Sequence, residues 1–195
     1  IASCLVGSEM CIRDSFSSGQ INYHDKKNER NWKITLVDTG MNTLKGARIK
    51  RIENYLKSDI NFLTYGDGVA DIDINELLKF HKSHNKTITV SGVRAPSAFG
   101  EFEEIESRIT SFVEKPKSAK SYINGGFMVF NKNLLNHLSD DESTDFEFGV
   151  LENLAANGEV MVYKHDGSWE CMDHERDVIY LNKLWDSGKA FWRVW

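Results

Sequence analysis

Cysteine is scarce in this 195-residue chain, and long apolar runs are missing altogether. The three cysteines, Cys4, Cys11 and Cys171, are odd in number and are spaced neither as a disulfide framework nor as a zinc site. No stretch reaches the roughly 18 consecutive apolar residues that a membrane-spanning helix needs, so no membrane span is expected. Charge of one sign is not in large excess: 24 Lys and Arg against 29 Asp and Glu leave a net charge of −5. That balance argues against a broad nucleic-acid-binding face and leaves room for a local positive cluster facing a phosphorylated small molecule. The opening Ile1-Ala2-Ser3-Cys4-Leu5 is apolar but lacks the basic segment of a signal peptide. There is no initiator methionine, no internal repeat and no low-complexity segment. A soluble, cytoplasmic protein is the expectation. Residues 1–15 share no pattern with the rest of the chain and are expected to be a foreign or disordered leader, with one domain from 16 to 195.

What is present is the composition of a globular domain, 41% hydrophobic and 27% charged. Ser17 to Arg30 reads as loop, with a strand near Ile21–Tyr23, and Trp32 to Val37 reads as a strand closed by Asp38-Thr39-Gly40. Apolar positions Ala47, Ile49, Ile52, Tyr55 and Leu56 predict a helix whose other face, Lys45, Arg48, Lys50 and Arg51, is solvated. Ile60 to Leu63 predicts a buried strand, Gly66-Asp67-Gly68 a tight turn, and residues 74–83 a helix carrying His81 and His84. Those histidines lack a third ligand nearby, which disfavours a metal site. Lys86 to Val93 reads as the next strand. The alternation of strands and helices argues a parallel, layered α/β unit.

A hairpin is expected over 98–113, turning at Glu106-Ser107-Arg108 and ended by Pro116. Tyr122 to Phe130 is the most apolar segment and should be a central strand. Its glycine pair, Gly125-Gly126, is tolerable where backbone approaches a ligand or another strand. Leu134, Leu135 and Leu138 predict a short helix. Residues 145–157 predict a longer one with Phe148, Leu151, Leu154 and Ala155 inward and Gly158 as the stop. Strands at 159–164 and 169–173, a helix at 175–185 and an aromatic tail (Phe191, Trp192, Trp195) complete the chain. The tail is expected to pack on this domain or on another subunit.

The residues that matter gather at predicted strand ends: Asp67, Glu114-Lys115, Asn124-Gly125 and Asp173. In open α/β sheets, ligands bind beyond the carboxyl ends of the strands. If Asp67 and Asp173 share a crevice, they form a Mg²⁺ site of the usual kind, with one or two carboxylates plus phosphate oxygens and water. Lys115 would then face a phosphate, Glu114 and Asn124 would bond hydroxyls, and Trp169 would face a sugar ring. Each residue also has a plain structural reading: solvated turns for Asp67 and Glu114-Lys115, a hydrogen-bonded Asn124, and core filling for Trp169.

Several stretches in order carry a resemblance: Val37-Asp38-Thr39-Gly40, Thr64 to Asp71, Phe99-Gly100, Val113-Glu114-Lys115-Pro116-Lys117, Ile123 to Phe127, Met172-Asp173 and Arg176-Asp177. The terminal Leu-Trp-Asp-Ser-Gly-Lys-Ala-Phe-Trp supports them. Together they resemble the sugar-nucleotide pyrophosphorylases, and within that family the branch that joins CTP to glucose 1-phosphate. The resemblance implies a Rossmann-like, glycosyltransferase-A-like nucleotidyltransferase fold with a mixed central sheet flanked by helices. It implies Mg²⁺-dependent formation of CDP-glucose and pyrophosphate, a product used in bacterial surface polysaccharide. It also implies a homo-oligomer acting on CTP and glucose 1-phosphate, without nucleic acid or membrane.

Carried over, Asp67 and Asp173 match the metal-holding carboxylates and Lys115 the lysine at the sugar phosphate. Gly100, Glu114, Asn124 and Gly125 match the hexose pocket, with Trp169 beside it. Asp38 and Thr39 match a loop of structural importance. Two departures stand out. The family's N-terminal glycine-rich nucleotide loop is absent, so this chain alone is expected not to turn over, and His174 stands where the family pattern has threonine. Sister enzymes using UTP or dTTP, and a non-catalytic sugar-nucleotide-binding module, are the rival readings.

Overall fold

A computed structural model describes residues 35–95, 101–113 and 121–194. The expected leader 1–15, the loop and strand between Ser17 and Arg30, and Trp32 to Ile34 lie outside the described residues, as do Gly100, Glu114, Lys115, Pro116 and Trp195.

Among the described residues the strands are β1 (Ile60–Leu63), β2 (Gly68–Ala70), β3 (Ile88–Val93), β4 (Glu101–Ile105), β5 (Arg108–Val113), β6 (Ile123–Asn131), β7 (Val160–His165) and β8 (Trp169–Cys171). The α-helices are α1 (Lys45–Arg51), α2 (Ile74–His84), α3 (Glu152–Ala156) and α4 (Glu175–Asp186). The main sheet runs β1-β6-β3-β7, with β6 antiparallel to both neighbours and β7 parallel to β3. The sheet is therefore mixed, and the all-parallel reading of the strand–helix alternation does not hold. The long apolar β6, though late in sequence, inserts between β1 and β3.

Alternation along β6 explains why helices cover both faces. Met128 and Phe130 point into one cluster with Ile88, Val90, Ile49 of α1, Leu134, Leu135, Phe146 and Leu154 of α3. Val129, between them, points the other way, against Ile72 and Leu77 of α2. The start of α2 is set by Asp73, whose Oδ1 accepts from the amides of Asn75 and Glu76 at 2.8 and 3.1 Å. His81 and His84 on this helix both reach Thr89 Oγ1, each at 2.8 Å, and so join α2 to β3.

Several local expectations are corrected. Residues 35–37 form no strand. The adjoining turn is held by α1 instead: Arg48 donates to the Thr43 carbonyl and the Thr39 hydroxyl, and Arg51 donates to the Thr39 carbonyl, each at 2.7 Å. The cationic face of α1 is thus a staple more than a solvated surface, and it accounts for the Asp-Thr-Gly stretch, in which Asp38 Oδ1 accepts from Gly40 N. The predicted helix ends early at Arg51 and continues as a 3₁₀ turn, Glu53–Tyr55. In place of the short helix stands a 3₁₀ turn, Lys132–His137, which holds Leu134 and Leu135, with Leu138 extended just after it.

Among the described residues β1 lies at the edge of the sheet and is not fully buried, with Phe62 48% exposed. Helix 145–157 is broken: Gly149 has φ +95°, and the kink turns Phe148 out to 77% exposure. Gly158, with φ +70°, does end α3 as expected. The β4–β5 hairpin turns at Glu106 and Ser107, both at positive φ, and Arg108 already belongs to β5. In the tail Phe191 packs edge-on to Trp192, and the Arg193 guanidinium lies over the Trp185 ring of α4. No helix among the described residues is long and apolar enough to cross a membrane.

Candidate active site

The site is built on a small ribbon rather than on the main sheet. Strand β2 comes directly after the Gly66-Asp67 bend and pairs antiparallel with β8, Gly68 opposite Cys171 and Ala70 opposite Trp169. This short strand, between the expected turn and the expected helix, was not foreseen from the sequence. Both ends of the ribbon are tied. At one end Met172 N donates to Asp67 O at 2.8 Å. At the other, the Asp71 carboxylate takes His165 Nε2 and Ser168 N, each at 2.8 Å.

This ribbon brings Asp67 and Asp173 together from distant parts of the chain. One oxygen of each, with the Cys171 sulfur, forms a group whose atoms all lie within 4.8 Å of one another. Both carboxylates are exposed and Cys171 is half-buried. Burial pushes the Cys171 thiol up to about 12, helped by its hydrogen bond to Asp173 and by the negative charges of Asp67 and Asp173. Two exposed carboxylates at this spacing suit a hard divalent cation, which keeps several waters and takes phosphate oxygens as its remaining ligands.

The glycine pair of β6 supplies the floor. Register along β3–β6 shifts between Val90 and Gly92, so β6 bulges at Gly125–Phe127, and Phe127 N donates to Ser91 Oγ. A side chain at Gly125 would stand 2.6 Å from Val93 Cγ1, so the close approach there is to β3. Gly126, at φ +80°, packs against the Tyr65 ring. The Gly125 carbonyl accepts from Trp169 Nε1 at 2.9 Å, which fixes the half-buried indole over the bulge. A Cβ on Gly68 would come 3.6 Å from Trp169 Nε1 and 3.8 Å from Gly125 O, in ordinary contact. Exposed Asn124 folds back so that its Oδ1 accepts from Gly126 N. Gly68, next to Asp67, thus lies beside Trp169 and Gly125, with Asn124 adjoining in sequence, while Asp67 and Asp173 meet where the ribbon ends. Gly100, Glu114 and Lys115 lie outside the described residues.

Three supports were given no role in the site from sequence. Asp177, in the first turn of α4, accepts from Asp173 N at 3.2 Å and from His174 N at 2.9 Å through the same oxygen. Burial would raise this carboxylate, but the His174 and Asp173 bonds and nearby Arg176 hold it below its usual range. The signal was available, as an aspartate three residues after a helix-opening residue. The ring of His174, the departure from the family pattern, also lies against this carboxylate, Nδ1 to Asp177 Oδ2 at 3.3 Å. Tyr65 donates to Glu147, which also takes Lys45 Nζ at 2.6 Å, and burial followed by Glu147 raises the Tyr65 phenol. Cys171, the third, is placed in the site by the pairing of β8 with β2 and by its hydrogen bond to Asp173, which no local sequence signal marks.

With its mixed, two-sided sheet and its ribbon-borne carboxylates, the chain belongs to the nucleotidyl transferase family, which matches residues 11–186. It is 43% identical over 180 residues to the glucose-1-phosphate cytidylyltransferases of Salmonella typhimurium and Salmonella typhi, matching 92% of this chain and 69% of each relative. Among solved structures it is similar to HddC from Yersinia pseudotuberculosis complexed with GMP-PN, at TM-score 0.57 and 17% identity, over 82% of this chain and 70% of that one. That last likeness is one of fold.

Proposed function

We propose that this chain binds a divalent cation and a sugar phosphate in a nucleotidyltransferase reaction that makes CDP-glucose from CTP and glucose 1-phosphate. The observation that carries the reading is the approach of Asp67 and Asp173 on the β2–β8 ribbon. The choice of CTP and glucose rests on the 43% identity to the Salmonella enzymes of that name.

In this reaction a phosphate oxygen of the sugar attacks the α-phosphorus of the nucleotide in line. The bond from that phosphorus to the β-phosphate bridge breaks, and pyrophosphate leaves. Mg²⁺, held by Asp67 and Asp173, supplies charge neutralisation to the crowded phosphates when bound. The protein's part is positioning rather than covalent chemistry. Trp169, locked to the Gly125 carbonyl, and Asn124, locked to Gly126, present a rigid wall to the hexose. Gly100 and Glu114 complete the hexose pocket in this reading, and Lys115 meets the sugar phosphate. Asp177 orients the backbone that carries Asp173.

The test is pyrophosphate release by the intact enzyme with glucose 1-phosphate, Mg²⁺ and CTP, UTP or dTTP in turn. CTP is expected to be preferred by roughly tenfold or more, a difference of about 1.4 kcal/mol. Equal rates with the three nucleotides would overturn the cytidylyl assignment.

A further inference from the structure

The geometry points to Cys171 as a third ligand of the Asp67–Asp173 site, so that the site takes a thiophilic divalent cation of the zinc and cobalt class in competition with Mg²⁺. The inference rests on the reading of the two carboxylates as cation ligands and adds a donor that this reading does not use.

Three features place the sulfur there. The Cys171 thiol is hydrogen-bonded to Asp173, two residues on, which sets the sulfur beside that carboxylate. The cross-strand partner of Cys171 is Gly68, which has no side chain to cover the thiol. Asp67 leaves the ribbon at a bend, and the Met172 N to Asp67 O bond holds that bend beside β8. The result is one sulfur and two carboxylate oxygens within 4.8 Å of one another.

Zinc binds thiolate at about 2.3 Å and carboxylate at about 2.1 Å, so donors on one ion sit roughly 3.5 Å apart. Side-chain rotation of about an ångström closes the difference. Mg²⁺ prefers oxygen and leaves the sulfur aside, whereas a thiolate donor favours softer cations. On binding, the thiol proton passes to solvent and a sulfur–metal bond replaces the sulfur–hydrogen bond, with no change of oxidation state. Three protein ligands leave a fourth position open, as in sites where zinc takes a substrate oxygen.

The experiment uses the protein in a Cys4→Ser, Cys11→Ser background, so that Cys171 is the sole thiol. Cobalt(II) alone is titrated while the near-ultraviolet sulfur-to-cobalt charge-transfer band is followed. In parallel, zinc is used to displace Mn²⁺ detected by electron paramagnetic resonance. The band should appear, vanish in Cys171→Ser, and weaken in Asp67→Asn and in Asp173→Asn. Cys171→Ser should weaken zinc by roughly tenfold or more, while Mn²⁺ changes far less. No band, or a band that survives loss of both carboxylates, would overturn the proposal. So would a Cys171→Ser variant that loses Mn²⁺ as much as zinc. Thermal melts of each variant separate ligand loss from unfolding. If Mn²⁺ binds equally well to Asp67→Asn, the carboxylate reading itself falls. If Mn²⁺ needs Asp67 but cobalt shows no band, only the thiol fails.

Discussion

Carboxylate oxygens of Asp67 and Asp173 lie within 4.8 Å of each other where the β2–β8 ribbon ends, beside the backbone bond from Met172 N to Asp67 O at 2.8 Å. Everything proposed for the site depends on that juxtaposition. Asp177 reinforces it by taking the Asp173 amide, so the carboxylate that leads into α4 is anchored to the first turn of that helix. Asp177→Ala is expected to weaken divalent-cation binding by roughly tenfold, as loss of a supporting bond behind a metal ligand does. Calorimetric titration with Mn²⁺ checks it, and unchanged affinity would remove Asp177 from the site.

The indole of Trp169 is positioned by its bond to Gly125 O. Trp169→Phe keeps an aromatic face and removes the donor, so stability should drop by about 1 kcal/mol. The KM for glucose 1-phosphate should rise several-fold with kcat less affected. Urea unfolding and steady-state kinetics of the intact enzyme read the two effects separately, and an unchanged KM would mean that the indole only fills space.

Gly126 sits at φ +80° with the Tyr65 ring 3.0 Å from where a Cβ would stand. Gly126→Ala should destabilise the fold by at least about 1–2 kcal/mol from the left-handed backbone alone. The displaced ring would also loosen Asn124. A denaturation midpoint equal to the wild type would contradict this reading of the bulge.

Tyr65, Glu147 and Lys45 form a coupled set, in which Glu147 Oε2 is buried without a hydrogen-bond partner. Tyr65→Phe removes a donor from a carboxylate that is already short of donors, and should cost about 1–3 kcal/mol. Lys45→Met should be worse in the Tyr65→Phe background than in the wild type, since neighbours sharing one partner are not additive. A double-mutant cycle by urea unfolding measures the coupling.

Thr89 receives both His81 and His84, and both imidazoles are held below their ordinary pKa. Burial is the first cause in each case. His84 adds to it at His81, where Asn131 opposes, and Lys86 adds to it at His84. The unfolded chain therefore takes up protons before the folded one as pH falls through the usual histidine value of about 6.5. Stability from this cluster is full above that value and declines below it, while the depressed carboxylates of Glu159 and Asp177 act only in the more acidic carboxylate range. The melting temperature should fall as pH is lowered from about 7.5 to about 5.5, and His84→Gln should flatten the fall. A melting temperature independent of pH over that range would contradict it.

Local pattern was enough for α2 and α4, whose apolar residues recur at helical spacing, and for β3 and the central β6, which read as short β-rich runs and are buried on both faces. The position of β6 between β1 and β3 was not legible, since strand order is a matter of long-range pairing. Phe148 kept helical spacing but turned outward, because Gly149 at φ +95° breaks the helix beneath it. A strand was legible at 169–173, but β2 is only three residues long and carries no alternation, so its pairing with β8, and with it the neighbourhood of Cys171, could not be foreseen. Asp67, Asp173, Asn124, Gly125 and Trp169 were legible as residues, through motif order, while the contacts that orient them come from Tyr65, Asp177 and Ser91.

The most direct measurement is Mn²⁺ binding followed by electron paramagnetic resonance on the wild-type chain, Asp67→Asn and Asp173→Asn, with melting curves to establish that each variant is folded. The expected result is one site in the wild type, weakened by roughly tenfold or more in either variant. Folded variants that bind Mn²⁺ as well as the wild type would show that the two carboxylates do not hold a shared cation.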